Sequence, residues 1–154
     1  MTGLSSHELA LRPAFLTTAY GPVGQRIRLV ERPAALPLPA WLEGRWAIVT
    51  AWNPQGQATS PALNREAQLR LLEAVRAAGL SPLAALNGAG EWAEDSLLIP
   101  GATLAQARDW GRDFGQLAVL YGVGRRAALV WASGRVERHW AGPERLADGS
   151  LSAG

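Results

Sequence analysis

Four polar side chains stand where a ligand site would need them: Asn53, Asn64, Glu94 and Gln116. Asn53 opens an Asn-Pro turn at the end of the apolar run 46–52, and Asn64 falls in the first turn of the helix that follows. Glu94 sits between Trp92 and Ser96 on an apolar stretch. A carboxyl buried in such surroundings has a raised pKa and suits general-base work, whereas an arginine partner would make it a structural ion pair. The residue types leave both open. An amide both donates and accepts, so Asn53 and Gln116 can hold a polar ligand or simply satisfy a turn and nearby backbone. Asparagine is a poor helix former, which favours a side-chain role for Asn64. Thr50, Trp52, Trp92 and Ser96 complete the candidate set, the tryptophans as core or as stacking surfaces for a planar ligand.

The elements that must position these groups are legible in outline. Ser5 with Glu8 has capping-box spacing and predicts a short helix over 7–12, resuming after Pro13 towards Tyr20. Residues 25–31 alternate as a strand, and 46–52 is apolar on both faces, as in a strand covered on both sides. Ser60-Pro61 is a cap followed by proline at the first helical position, and the helix runs to Gly79 with Leu63, Ala67, Leu71, Ala74 and Ala78, flanked by Leu72 and Val75, as its buried stripe. Strands follow over 81–86 and 92–99, and Thr103 with Gln106 caps a second long helix. A strand over 116–121 and a hairpin of 126–132 with 135–140, turning at Ser133-Gly134, end the ordered part.

With 154 residues, 48% of them hydrophobic, the chain fits one domain, read as 1–140 with 141–154 as a disordered tail. Cysteine is absent, which excludes disulfides, thiolate metal sites and cysteine nucleophiles. All 15 basic residues are arginine, which excludes lysine Schiff-base chemistry and resembles the codon usage of a GC-rich bacterium. Net charge is +2, too small to imply nucleic-acid binding by itself. No apolar stretch approaches the roughly 18 residues of a membrane span, so the chain reads as cytoplasmic with no membrane partner. Glu91, Glu94 and Asp95 match no metal motif and alternate between strand faces, His7 and His139 read as surface residues, and Gly88-x-Gly90 precedes a strand where a dinucleotide site needs a helix. No metal or cofactor is assigned.

From 46 to 121 the order strand, helix, strand, strand, helix, strand is that of a ferredoxin-like split βαβ core (βαββαβ), extended by an amino-terminal strand and a carboxy-terminal hairpin. The alternative is an α/β sandwich with a mixed sheet. Right-handed crossovers place the third and fourth strands antiparallel on either side of the first. Asn53, Glu94, Gln116 and the start of the first long helix then converge, and a helix amino terminus there would favour an anion.

At these residues the chain resembles an uncharacterised bacterial family, the domain of unknown function 3293. The resemblance rests on Thr50-Ala51-Trp52-Asn53-Pro54, Asn64, Trp92-Ala93-Glu94-Asp95-Ser96, Phe114-Gly115-Gln116 and the pair Ala19-Tyr20. It covers residues 19 to about 131. A serine often found in the family two residues after the proline is replaced here by Gly56. The resemblance implies no reaction, cofactor or partner.

Two functions follow from the residues. One is a pocket for a polar or anionic small ligand, a metabolite or nucleotide, with hydrolytic chemistry based on Glu94. The other is a nucleic-acid or protein binding module using the basic hairpin with Arg125, Arg126, Arg135, Arg138 and Arg145. The both-sided burial read for 46–52 and the lack of an aromatic-basic RNA-binding motif weigh against the second. Whether the protein is an enzyme is left open.

Overall fold

A computed structural model describes residues 3–144. In chain order the described elements are α1 (Ser6–Thr17), β1 (Ile27–Val30), β2 (Arg45–Val49), α2 (Pro61–Ala77), β3 (Leu83–Asn87), β4 (Glu94–Pro100), α3 (Leu104–Asp113), β5 (Ala118–Val123), β6 (Arg126–Trp131) and β7 (Val136–Pro143). The seven strands form one sheet in the order β1-β7-β6-β5-β2-β4-β3, every neighbouring pair antiparallel. The fold is α+β, and its sheet is larger than a four-stranded split βαβ sheet.

β2 lies between β4 and β5 and is apolar on both faces because both are covered. Trp46 and Ile48 enter a layer with Leu98, Leu120, Leu129 and Trp131, closed by Phe15 and Leu16 of α1 and by Trp41 and Leu42 of the proline-rich connection. Ala47 and Val49 enter the opposite layer, closed by Ala67, Leu71 and Val75 of α2 and Ala107 and Trp110 of α3. Trp46 is fully buried, donates its indole N–H to the Gly124 carbonyl at 2.9 Å and meets the Trp41 ring edge-on at 5.2 Å. Its cross-strand partner is Gly122, where a Cβ would overlap the indole and come within 2.6 Å of the Arg126 carbonyl.

Several boundaries differ from the sequence reading. α1 runs unbroken through Pro13 to Thr17. A proline inside a helix costs about 3 kcal/mol, but contacts anchor α1 on both sides of it. Before Pro13, Glu8 caps Ser5 and accepts from the Ser133 N–H at 3.2 Å, and Arg12 forms a two-pronged pair with Glu137, each bond 2.9 Å. After it, Phe15 packs edge-on against Trp131 at 5.3 Å. β2 stops at Val49 rather than at 52. Thr50 takes over the ladder with its side chain, donating to the Asp95 carbonyl at 2.6 Å and accepting from the Trp52 N–H at 3.0 Å. β3 begins at Leu83 and includes Asn87. β4 starts at Glu94, because Gly90–Trp92 coil into a single 3-10 turn that carries Trp92 out to 81% exposure.

The buried face of α2 is also displaced. Asn64, Ala67, Leu71 and Val75 face the sheet, while Leu63, 56% exposed, and Ala78 face solvent. β7 continues through Pro143, so residues 141–143 of the expected tail belong to the sheet, and 145–154 lie outside the described residues. His139 is not a surface residue: its ring is half-buried and its Nε2 lies 2.6 Å from Glu137.

Burial by itself would push the Glu137 carboxyl up, but hydrogen bonds from Arg12 and His139 and their charges outweigh it and hold the pKa at about 2. A folded pKa below the ordinary 4.5 means the folded state gives up this proton more readily than the unfolded chain. The stability so gained is complete above pH 4.5 and lost as pH falls towards 2. Acid denaturation of wild type and Glu137→Gln should therefore diverge above pH 4.5 and converge as the pH approaches 2; parallel curves would exclude this role. At the sheet centre, Gly122→Ala should cost about 3 kcal/mol by chemical denaturation. The loss should be strongly non-additive with Trp46→Phe, and additive losses would mean that the indole is not what Gly122 accommodates.

Candidate functional site

Asn53 organises the end of β2. Its backbone is left-handed (φ 48°, ψ 62°), as is that of Gln55 (φ 62°), an arrangement that non-glycine residues adopt only when surrounding contacts hold them. The contacts are specific. The Asn53 N–H donates to Asn64 Oδ1 at 2.9 Å. Asn53 Oδ1 accepts from Asn64 Nδ2 and from the Thr59 N–H, both at 3.0 Å. Asn53 Nδ2 donates to Glu94 Oε2 at 2.8 Å. Turning the amide over would face donors with donors, so the network fixes its orientation. The rest of the turn is fastened to the α3–β5 junction. The Gln55 N–H donates to the Gly115 carbonyl at 2.7 Å, and Gly115 (φ 68°) packs so closely that a Cβ would lie 3.0 Å from the Pro54 Cβ. Gln116 Nε2 donates to the Trp52 and Phe114 carbonyls at 3.1 and 3.2 Å.

Glu94 opens β4 directly opposite Asn87. Of the two possibilities the sequence left open, the arginine pair is not formed: among the described residues its hydrogen-bond partner is the Asn53 amide. Burial raises its pKa, and the Asn53 hydrogen bond only partly opposes that. Nearby Tyr20 is fully buried, donates its hydroxyl to the Phe15 carbonyl at 2.6 Å, and is itself held protonated by burial and by the Glu94 charge.

Beneath the turn is a cavity of about 70 Å³. Thr50, Trp52, Asn53, Glu94 and Gln116 line it, so five of the eight sequence candidates come together. Asn64 lies one step behind, gripping Asn53. Ser96 is buried in β4 away from the cavity, with no partner for its hydroxyl. Trp92 is excluded from the site by the 3-10 turn that exposes it.

The sequence reading missed the opposite wall. Tyr20 and Asn87 line the cavity, and Leu11 and Phe15 of α1 roof it. Asn87 looked like turn chemistry because Gly88 follows it, and only the structure shows that it ends β3 opposite Glu94. The expected anion-binding helix terminus is also displaced, since among the described residues no α2 residue, arginine or histidine lines the cavity. The Trp52 indole N–H and Asn87 Oδ1 are buried without partners. At Gly56 (φ 69°) a Cβ would come within 2.7 Å of Leu11, so α1 occupies the space that a serine there would need. Among the described residues no three acidic or histidine side chains gather as a metal site.

No curated protein and no solved structure matches the chain. A family model described as "Protein of unknown function (DUF3293)" matches residues 49–119, the stretch that carries Asn53, Asn64, Glu94 and Gln116. Over residues 49–119 the chain is similar to this family of unknown function, DUF3293.

Proposed function

We propose that the cavity beside Glu94 receives a small uncharged or cationic group, free or at the end of a larger ligand. The group would bring N–H or O–H donors to Glu94 and Asn87 and an acceptor to the Trp52 indole. The observation carrying this is the pair of buried, unpartnered atoms, Trp52 Nε1 and Asn87 Oδ1, on residues lining one cavity with a carboxyl that no cation among the described residues neutralises. Buried polar groups are almost always satisfied, so such atoms point to water or a ligand. Small-molecule pockets usually span about 300–1,000 Å³. A cavity of about 70 Å³ takes one functional group and not a whole nucleotide. The lack of a lining cation disfavours the anionic ligand expected from the sequence. Glu94, whose proton-holding range is extended upward, is the lining group best suited to proton transfer, including activation of water for hydrolysis.

The order β5-β2-β4-β3, with α2 and α3 as its connections, supports reading the site as the strand end of a ferredoxin-like core to which β1, β6 and β7 are added.

Heteronuclear NMR with acetamide, methylammonium and acetate as probes tests the ligand reading. Acetamide or methylammonium should shift the Trp52 indole and the Asn53 and Asn87 amide signals saturably, and acetate should not. Glu94→Gln should weaken the methylammonium response at least about tenfold, the scale of one lost charge-assisted hydrogen bond. Probes that leave these signals unmoved, or move them equally in wild type, Asn53→Ala and Glu94→Gln, would make the cluster purely structural.

The raised Glu94 pKa has a stability consequence of opposite sign to that of Glu137. The folded state keeps a proton that the unfolded chain releases from pH 4.5 upward. The stabilisation is complete below 4.5 and is lost as pH rises through the folded pKa. Glu94→Gln, which can still accept from Asn53, should therefore be more stable than wild type at pH 7, with the advantage vanishing below pH 4.5. A less stable variant at pH 7 would show that the charged form is favoured by something other than Asn53.

A further inference from the structure

The helices cover only half of their sheet face. α2 packs on β4, and α3 on β2 and β5. Beyond them β6, β7 and β1 extend the sheet, and among the described residues a groove of about 520 Å³ runs there between Leu104 at the start of α3 and Glu31 past the end of β1. Strand register fixes what this face displays. One row crosses β5, β6, β7 and β1 as Val123, Arg126, Trp140 and Val30, and the next runs Tyr121, Ala128, Arg138. Val123 is 51% exposed, so the row is open to solvent.

The chemistry of the rows is aromatic and cationic. The Arg126 guanidinium lies 4.9 Å over the Trp140 ring, a cation–π pair of the kind on which a further planar group can stack. Arg138 is exposed and lies diagonal to Arg126, about 7–8 Å away between backbones, the scale of a step between phosphates on an extended strand. Arg28 stands on the same face, opposite Gly142 on β7. Among the described residues Glu31 is the one carboxylate lining the groove. Of the basic residues read as one hairpin, Arg126 and Arg138 are therefore the ones this face uses. Arg125 and Arg135 sit in the turns and Arg145 lies outside the described residues.

We infer that this open face of β5, β6, β7 and β1 binds single-stranded nucleic acid, bases stacking on the Arg126–Trp140 pair and on Tyr121, and phosphates meeting Arg28, Arg126 and Arg138. The face is recessed beside α3, which a flat bilayer does not enter, and its stacking planes have no use for an acidic peptide. The burial of β2 on both faces does not oppose this, because the platform lies on the other half of the sheet.

Fluorescence anisotropy of a labelled oligothymidylate of about twelve nucleotides, titrated with the full chain at several salt concentrations, tests it. Binding should weaken with salt with a log–log slope of about −2, the value for three phosphates neutralised on a single strand. Arg126→Gln with Arg138→Gln should weaken binding at least tenfold and reduce the slope to about −0.7. Trp140→Ala should weaken it about tenfold with the slope unchanged. Thermal melts check folding, and if the double variant does not fold, exposed Arg138→Gln alone should lower the slope by about 0.7. No binding at low salt, equal affinity for a duplex, equal competition by polyglutamate, or binding only to anionic vesicles would each overturn the inference. None of these outcomes bears on the cavity at Glu94, which opens no residue of the groove.

Discussion

Asn53 and Asn64 hold each other through both side chains and one backbone N–H, and the fold around the candidate site depends on that grip. Left-handed backbone at a non-glycine residue costs about 1–3 kcal/mol, and here it occurs twice within three residues. Asparagine is among the few residues that adopt it readily. With Asn64 accepting its backbone N–H and donating to its side-chain Oδ1, Asn53 can turn the chain sharply out of β2 and still aim its Nδ2 at Glu94. Strand end, helix start and the first residue of β4 are thus fixed by one amide. Gly115 and Gln116 complete the clamp from the α3–β5 junction.

That grip also explains where the sequence was legible and where it was not. The both-sided burial of residues 46–49, the Ser60 cap and the Thr103–Gln106 capping box are local signals, and local physics decides them. The inward face of α2 is not a local matter. An apolar stripe through Leu63 fits the helical period as well as one through Asn64, and Asn53, eleven residues earlier, selects the polar one. Trp92 reads as a strand residue until the 3-10 turn at Gly90–Trp92 removes it. Pro13 reads as a break until tertiary contacts on both sides of it hold the helix together. For α2 and for Pro13 a contact distant in sequence outweighs a propensity worth about 1–3 kcal/mol.

The sheet has two different halves. Around β2 both faces are covered and the interior is filled, with Gly122 making room for Trp46. Towards β1 the α1 face is covered, through Tyr20, Ile27, Leu29 and Ala141. The alternating pattern of β7, with Glu137 buried and Arg138 exposed, is that of a strand with one wet side. The inward-facing Glu137 is tolerated because Arg12 and His139 reach it, and the same contacts fasten α1 to the sheet.

α1 is therefore more than a cover. The polar floor of the cavity, from Thr50 to Gln116, belongs to the family stretch 49–119, whereas Leu11, Phe15 and Tyr20 come from outside it. Burial is what raises the Glu94 pKa, since its one hydrogen-bond partner among the described residues pulls the other way. A carboxyl kept from a cation at the end of a strand costs stability that an apolar residue of similar volume would not. Its retention beside two unpartnered polar atoms makes sense if the cavity is to be filled by something the chain does not itself supply. The roof over Glu94 is set by the placement of a helix whose Leu11 lies against Gly56 and which is pinned through Arg12 to Glu137 of β7.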